Sequence, residues 1–229
     1  MKSKLLVSNK SDELIIFMAG WGSDHFQYEN ISSSKDVVIF YDYSDLTIDF
    51  DFSSYRKFYL LAFSSGVFVS ALIKDKLPKL SLTVAANGNI NLFDQNLGLD
   101  DFIVKLFKSI DLSNYMDFRR NYLCFSDEEL ELFNKYSCRR SSLSCSEEID
   151  ALYKYYKEHT VDFIFDKVLL SDSDRIFKPK YELEYYLGLK STEVYRIENA
   201  NHNIFTVHLK DFDDLLNPSS AIYSKRIVK

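Results

Sequence analysis

Glycine and proline are scarce: the chain has six glycines and three prolines among 229 residues. Average usage of the pair is roughly 12%, so collagen-like and low-complexity classes are excluded and a turn-dense all-β sandwich is disfavoured. Cysteine is scarce too, and Cys124, Cys138 and Cys145 show no CxxC pair and no histidine at zinc-finger spacing. That pattern argues against a disulfide framework or a structural zinc site and fits a reducing, cytoplasmic compartment. A surplus of positive charge is missing. The chain has 28 Lys and Arg against 34 Asp and Glu, a formal charge of −6, which disfavours a general nucleic-acid surface. Long apolar runs are missing as well. The longest uncharged stretch, residues 58–73, falls short of the roughly 20 residues a spanning helix needs, and the opening apolar run is too short for a signal peptide. No membrane span, metal or cofactor is expected.

What is present is material for one well-buried core, with 46% hydrophobic and 16% aromatic residues. Apolar runs bounded by polar residues predict buried strands at 14–18, 37–41, 58–63, 80–86, 167–170 and 193–197. Between them lie helical patterns. Residues 66–74 would form a helix buried on most sides, and 100–110 carry Phe102, Ile103, Leu106, Phe107 and Ile110 at amphipathic spacing. Strands alternating with helices in this way predict an α/β fold with a mainly parallel sheet. Residues from about 111 to 160 offer no strand, hold all the cysteines and read as amphipathic helices. With no Pro/Ser linkers around them, they are expected to be a helical lid inserted in a single domain spanning 1–229.

In Leu60-Leu61-Ala62-Phe63-Ser64-Ser65-Gly66-Val67-Phe68 a strand pattern ends, one serine occupies the joint and a helix pattern begins. This is the context of a nucleophile elbow, in which a sharp turn exposes the serine hydroxyl and small neighbours let strand and helix approach. Ala62 stands where the pattern normally has glycine. A serine that merely N-caps the next helix would read the same way. In Met18-Ala19-Gly20-Trp21-Gly22-Ser23 another strand pattern runs into a glycine-bracketed turn. In serine hydrolases of this architecture such a loop donates one N–H to the oxyanion hole, here from Trp21, and the residue after the nucleophile, Ser65, donates another. A tight turn that packs Trp21 as core is the plainer alternative.

A serine nucleophile needs a base and an acid, in the chain order Ser, Asp or Glu, His. Of the four histidines, His202 follows the last strand pattern in a loop of small polar residues, whereas His25, His159 and His208 lie in less suitable settings. The acid should follow the preceding strand, where Asp172 and Asp174 are both candidates.

At this point the sequence resembles the BioG-type pimeloyl-[acyl-carrier protein] methyl ester esterases. The resemblance rests on Phe17-Met18-Ala19-Gly20-Trp21-Gly22, Tyr41-Asp42-Tyr43 with the Asp-rich run to Phe52, Ala62-Phe63-Ser64-Ser65-Gly66-Val67, Asp174-Arg175-Ile176-Phe177-x-Pro179 and Asn201-His202-x-x-Phe205. It implies an α/β-hydrolase fold with Ser64 as nucleophile, Asp174 as acid and His202 as base. The family's elbow is Trp-Ser-x-Gly, and here Phe63 keeps an aromatic before the serine. The implied reaction is hydrolysis of a methyl ester through an acyl-enzyme, giving the pimeloyl carrier-protein thioester used for biotin synthesis.

Acyl carrier protein is then the expected partner. Because carrier proteins and this chain are both acidic, docking requires a local positive patch, for which Arg119, Arg120, Arg139 and Arg140 are candidates. Ordinary solvated arginines are the alternative. Trp21 and Phe63 beside the joint, with Phe118, Phe133 and Leu143 in the insertion, are candidates to line the acyl channel. A thioesterase or short-chain carboxylesterase on the same triad, or a non-catalytic binding protein on the same fold, are the competing functions. Oligomeric state is open.

Overall fold

A computed structural model describes residues 1–111, 114–206, 208–218 and 224–227. Its centre is an eight-stranded sheet in the order β1-β3-β2-β4-β5-β6-β7-β8. The strands are β1 (Lys2–Val7), β2 (Glu13–Met18), β3 (Asp36–Tyr41), β4 (Lys57–Phe63), β5 (Leu80–Ala86), β6 (Lys167–Ser171), β7 (Glu193–Ile197) and β8 (Ser224–Ile227). The six inner strands run parallel, while β1 and β8 join the edges antiparallel. The inner strands are the six expected from the apolar runs. Both edges escaped that criterion. In β1, Lys2 and Lys4 interrupt the apolar pattern, and exposed lysines of this kind protect a free edge against further pairing.

Parallel strands buried on both faces read as continuous apolar runs, and β2 is the clearest case, with Leu14 to Met18 fully buried. Alternation along the strand divides it between two cores. Leu14, Ile16 and Met18 pack with Val67 and Phe68 of α1 (Ser65–Leu72) and with Ile149 and Leu152 of the insertion. Ile15 and Phe17 face Phe205, Phe212 and Leu215 on the other side. Full burial of each such side chain is worth about 1.5–3 kcal/mol. From β2 the chain moves outward to β3, then crosses back to β4 on the other side of β2. The loops after β2 and β4 therefore diverge and open a crevice at the strands' carboxyl ends, the usual ligand position in such sheets.

Between β5 and β6 stand α2 (Asp101–Ser109), α3 (Tyr115–Phe118) continuing into a wide π-turn at Arg119–Leu123, α4 (Asp127–Lys135) and α5 (Ser142–Glu158). Each longer helix has its start signal. Asp100 accepts from the Ile103 N–H, Ser126 and Glu129 form a capping box, and Ser141 accepts from the Ser144 N–H. Helix α2 falls on the amphipathic pattern expected at 100–110, and Leu112 and Ser113, at the start of the expected insertion, lie outside the described residues. After β6 come α6 (Pro179–Gly188) and α7 (Phe212–Leu216). Among the described residues no helix is long and apolar enough to cross a membrane.

Candidate active site

Ser64 is the single residue between β4 and α1, with φ 55° and ψ −125°. A non-glycine residue in this region costs on the order of 1–3 kcal/mol, tolerated only where the surroundings enforce it. Here the Ser64 N–H is held by the Ala86 carbonyl at 3.0 Å, and glycines permit the packing. A Cβ on Gly66 would stand 2.3 Å from the Met18 carbonyl oxygen, and one on Gly88 the same distance from the Ser64 carbonyl oxygen. The first lets the start of α1 lie against the end of β2. The second has no local sequence signal, because the neighbour that requires it arrives through space from the joint.

His202, on the loop after β7, brings its Nε2 to 3.0 Å from Ser64 Oγ and its Nδ1 to 2.7 Å from Asp174 Oδ2. The other carboxylate oxygen of Asp174 accepts the backbone N–H groups of Ile176 and Phe177 at 2.7 and 3.0 Å. The imidazole is buried between the rings of Phe63 and Phe177, with centroids 5.0 and 5.8 Å away. Its backbone is anchored as well, since Asn87 Nδ2 donates to the His202 carbonyl at 2.8 Å. Asp172 points elsewhere, to Ser173 Oγ and Arg196, so the aspartate in contact with His202 is Asp174. Fully buried Glu182 lies close enough to feel the Asp174 charge. Burial first, and then that charge, push its carboxyl well above the usual range. A hydroxyl, imidazole and carboxylate linked in this way can draw a proton from a serine as it attacks an electrophilic carbon.

The loop after β2 forms the opposite wall. Gly22 has φ +68°, and a Cβ on Gly20 would press within 3.1 Å of Ser64 Cβ. The Trp21 indole stacks on Phe107 of α2 at 4.2 Å and donates its Nε1–H to the Cys145 carbonyl of α5 at 2.7 Å. Trp21, Phe63, Phe118 and Phe133 line one cavity, with Ser64 and His202 also in its wall. Leu143 does not: it is 66% exposed and outside the lining. An apolar residue on a helix is not thereby on its inner face.

The four arginines divide. Arg120 and Arg139 are exposed, the latter with its guanidinium 3.5 Å over the Phe26 ring. Arg119 is buried, its guanidinium 4.7 Å over Phe133 and bonded to Asn134 Oδ1. The Arg140 side chain is only 6% exposed and pairs with Glu148 at 2.6 Å and Asp42 at 3.0 Å. Against the docking expectation, the side chains of Arg119 and Arg140 are turned inward, Arg140 onto the carboxylates of Glu148 and Asp42 and Arg119 onto Phe133 and Asn134. Burial acts first to raise the Glu148 pKa, opposed by Arg140 and by the N–H groups of Gly22 and Tyr43, and the net direction is upward. Nothing in the sequence marked Glu148 or Glu129; Glu129 accepts Asn201, which entered only as part of a motif, in a second buried link at 3.1 Å next to His202. Among the described residues no group of three or more His, Cys, Asp or Glu is placed to hold a metal ion.

Comparison with known proteins adds an independent line. The family model described as pimeloyl-ACP methyl esterase BioG matches residues 1–212. The crystal structure of BioG from Haemophilus influenzae superposes with a TM-score of 0.83 at 26% identity, covering 94% of this chain and 100% of that one. A lipase-esterase related protein from Clostridium acetobutylicum gives a TM-score of 0.60 at 15% identity over 90% of this chain and 93% of its own. It shares the fold alone, as does a further α/β hydrolase fold protein from Chitinophaga pinensis with a TM-score of 0.60 at 11% identity. Among curated sequences, a malonyl-[acyl-carrier protein] O-methyltransferase of Bacteroides fragilis is 29% identical over 198 residues. The match covers 83% of this chain but 40% of that protein, so the chain spans less than half of its length. An uncharacterized Haemophilus influenzae protein is 28% identical over 191 residues, 81% of this chain and 87% of its own. The architecture is that of the α/β hydrolases.

Proposed function

We propose that this chain, which belongs to the BioG family, is a serine esterase that hydrolyses the methyl ester of a pimeloyl group carried on acyl carrier protein. The observation that carries this reading is the unbroken chain from Ser64 Oγ to His202 Nε2 at 3.0 Å and from His202 Nδ1 to Asp174 at 2.7 Å. His202 takes the proton as Ser64 attacks the ester carbonyl, while Asp174 orients the imidazole and stabilises its charged form. The tetrahedral oxyanion is received by the backbone N–H groups of Trp21 and Ser65. Each such donor contributes about 2.7–4 kcal/mol of barrier reduction. His202 returns the proton to the departing methanol, water then attacks the acyl-enzyme, and the free carboxylate leaves.

The aromatic cavity wall formed by Trp21, Phe63, Phe118 and Phe133 suits an acyl chain. Residues 101–158 act in this reading as a lid-like part of a single domain. Of the arginines, Arg120 and Arg139 remain available to an acidic carrier protein. The experiment is methanol release from purified pimeloyl carrier-protein methyl ester, compared with short p-nitrophenyl esters and with Ser64→Ala. Release that disappears in Ser64→Ala supports the reading. Strong short-ester turnover with no action on the carrier substrate would replace it with a general carboxylesterase.

A further inference from the structure

The loop proposed to carry the oxyanion donor is bonded to the helical insertion at four consecutive residues. Trp21 Nε1 donates to the Cys145 carbonyl at 2.7 Å, and the Gly22 N–H donates to Glu148 Oε2 at 3.0 Å. The Ser23 carbonyl accepts from Arg140 Nη1 at 3.3 Å, and Asp24 Oδ2 accepts the Arg139 N–H at 2.7 Å. Glu148 is the hub. It is fully buried, its Oε1 accepts the Tyr43 N–H at 3.1 Å, and its Oε2 takes Arg140 at 2.6 Å as well as Gly22. Tyr43 in turn donates its hydroxyl to the Ala19 carbonyl at 2.7 Å, so both ends of the loop are fixed around one carboxylate.

The peptide group is planar, so an N–H pinned at Gly22 sets the rotation of the Trp21–Gly22 plane. With the indole also pinned, Trp21 has little freedom left, and the direction of its own N–H follows. The Gly22 N–H is committed to Glu148 and so is not free to serve an oxyanion. A carboxylate with no solvent contact is costly unless charge and hydrogen bonds compensate it, and Arg140 supplies the charge.

We propose that Glu148, neutralised by Arg140, is a positioning residue that aims the Trp21 N–H at the developing oxyanion. This deepens the esterase reading and rests on it. A role in folding alone would also explain a buried ion pair, so the test separates the two. Glu148→Gln leaves one acceptor oxygen for three donors, the N–H groups of Gly22 and Tyr43 and the Arg140 guanidinium. The double variant Arg140→Met/Glu148→Leu removes both charges together, a change that buried pairs often tolerate without loss of folding.

For each variant, kcat and KM are measured on pimeloyl carrier-protein methyl ester. The inhibition constant of a trifluoromethyl ketone, whose adduct with Ser64 carries the oxyanion, is measured alongside. The expected result is a fall in kcat of about 10²-fold, the cost of a misplaced catalytic group, with KM nearly unchanged and ketone affinity reduced in parallel. A folded double variant with wild-type kcat and ketone affinity would overturn the proposal. If the double variant does not fold, Glu148→Gln decides by the ratio of ketone inhibition constant to KM, and a wild-type ratio overturns it. Failure of the esterase reading itself is distinguishable, because in that case the wild-type protein would release no methanol from the carrier substrate, or Ser64→Ala would release it undiminished.

Discussion

At the carboxyl edge of the sheet, Ser64, Asp174 and His202 sit on loops that follow strands with mostly apolar, buried side chains. Residues 101–158 reach the same edge differently, through buried carboxylates. Glu148 of α5 holds the loop after β2, and Glu129 of α4 accepts Asn201 Nδ2, one residue before His202. The difference separates two tasks. Apolar strands fix where the three side chains stand, because shifting a strand by one residue would exchange the side chains packed in its two cores. The insertion's polar links fix how the two flanking loops are turned, since hydrogen bonds are directional where apolar contacts are not.

The comparison is broken most sharply at the sheet edge. Ser64→Ala should remove about 10⁶-fold of kcat and Asp174→Asn about 10⁴-fold, read as methanol release. Asp172→Asn, whose carboxylate pairs with Arg196, should leave turnover near wild type, and an equal loss there would transfer the acid role.

Gly88 and Gly188 form the next contrast. A Cβ at Gly88 meets the Ser64 carbonyl oxygen at 2.3 Å, whereas Gly188 has nothing within 4 Å. Gly88→Ala should cost about 1–3 kcal/mol and lower activity by displacing the elbow. Gly188→Ala, near the end of α6, should be neutral or stabilise by about 0.4–1 kcal/mol. Urea unfolding of both variants checks this.

On the insertion side, Glu129→Ala removes the acceptor of Asn201 and of the Phe125 and Ser126 N–H groups. Orphaning such buried donors costs about 1–3 kcal/mol, again read by urea unfolding, with a smaller fall in kcat than at Ser64.

The smallest effect is a pH dependence within the Arg140 network. Burial acts to raise the Asp42 pKa, but hydrogen bonds from Lys2 and Ser44 and the charge of Arg140 hold it below the ordinary value. Its contribution is therefore full above the unfolded pKa, about 3.9, and is lost as pH falls through the lower folded value. Glu148 has the opposite sign. Its raised folded pKa means that the native state takes up a proton first, so its contribution declines as pH rises through that region. Asp42→Asn should flatten the acid limb of unfolding free energy measured from about pH 5 down to about pH 2, and an unchanged limb would remove Asp42 from the account.

The parallel core was legible because burial on both faces leaves continuous apolar runs, and all six inner strands were found on that basis. β1 was hidden by its lysines, and Ser224-Lys225-Arg226-Ile227 of β8 carries no apolar run. The order at strand ends pointed to Ser64 and His202 and left Asp172 and Asp174 open; the resemblance singled out Asp174, and the loop geometry is what brings it to His202. The arginines were the least legible. Whether Arg140 faces a partner protein or the interior depends on Asp42 and Glu148, and Asp42 is distant in the chain. Arg119 depends likewise on how Phe133 and Asn134 fold back on it. The glycine at position 88 earns its place only through a contact with Ser64 that no local pattern records.

The most direct test is to quench turnover of pimeloyl carrier-protein methyl ester with acid and map the chain by mass spectrometry. The account predicts the carrier-linked acyl group on the peptide containing Ser64, absent in Ser64→Ala, which should also release no methanol. Methanol release without any Ser64 adduct, undiminished in Ser64→Ala, would contradict it.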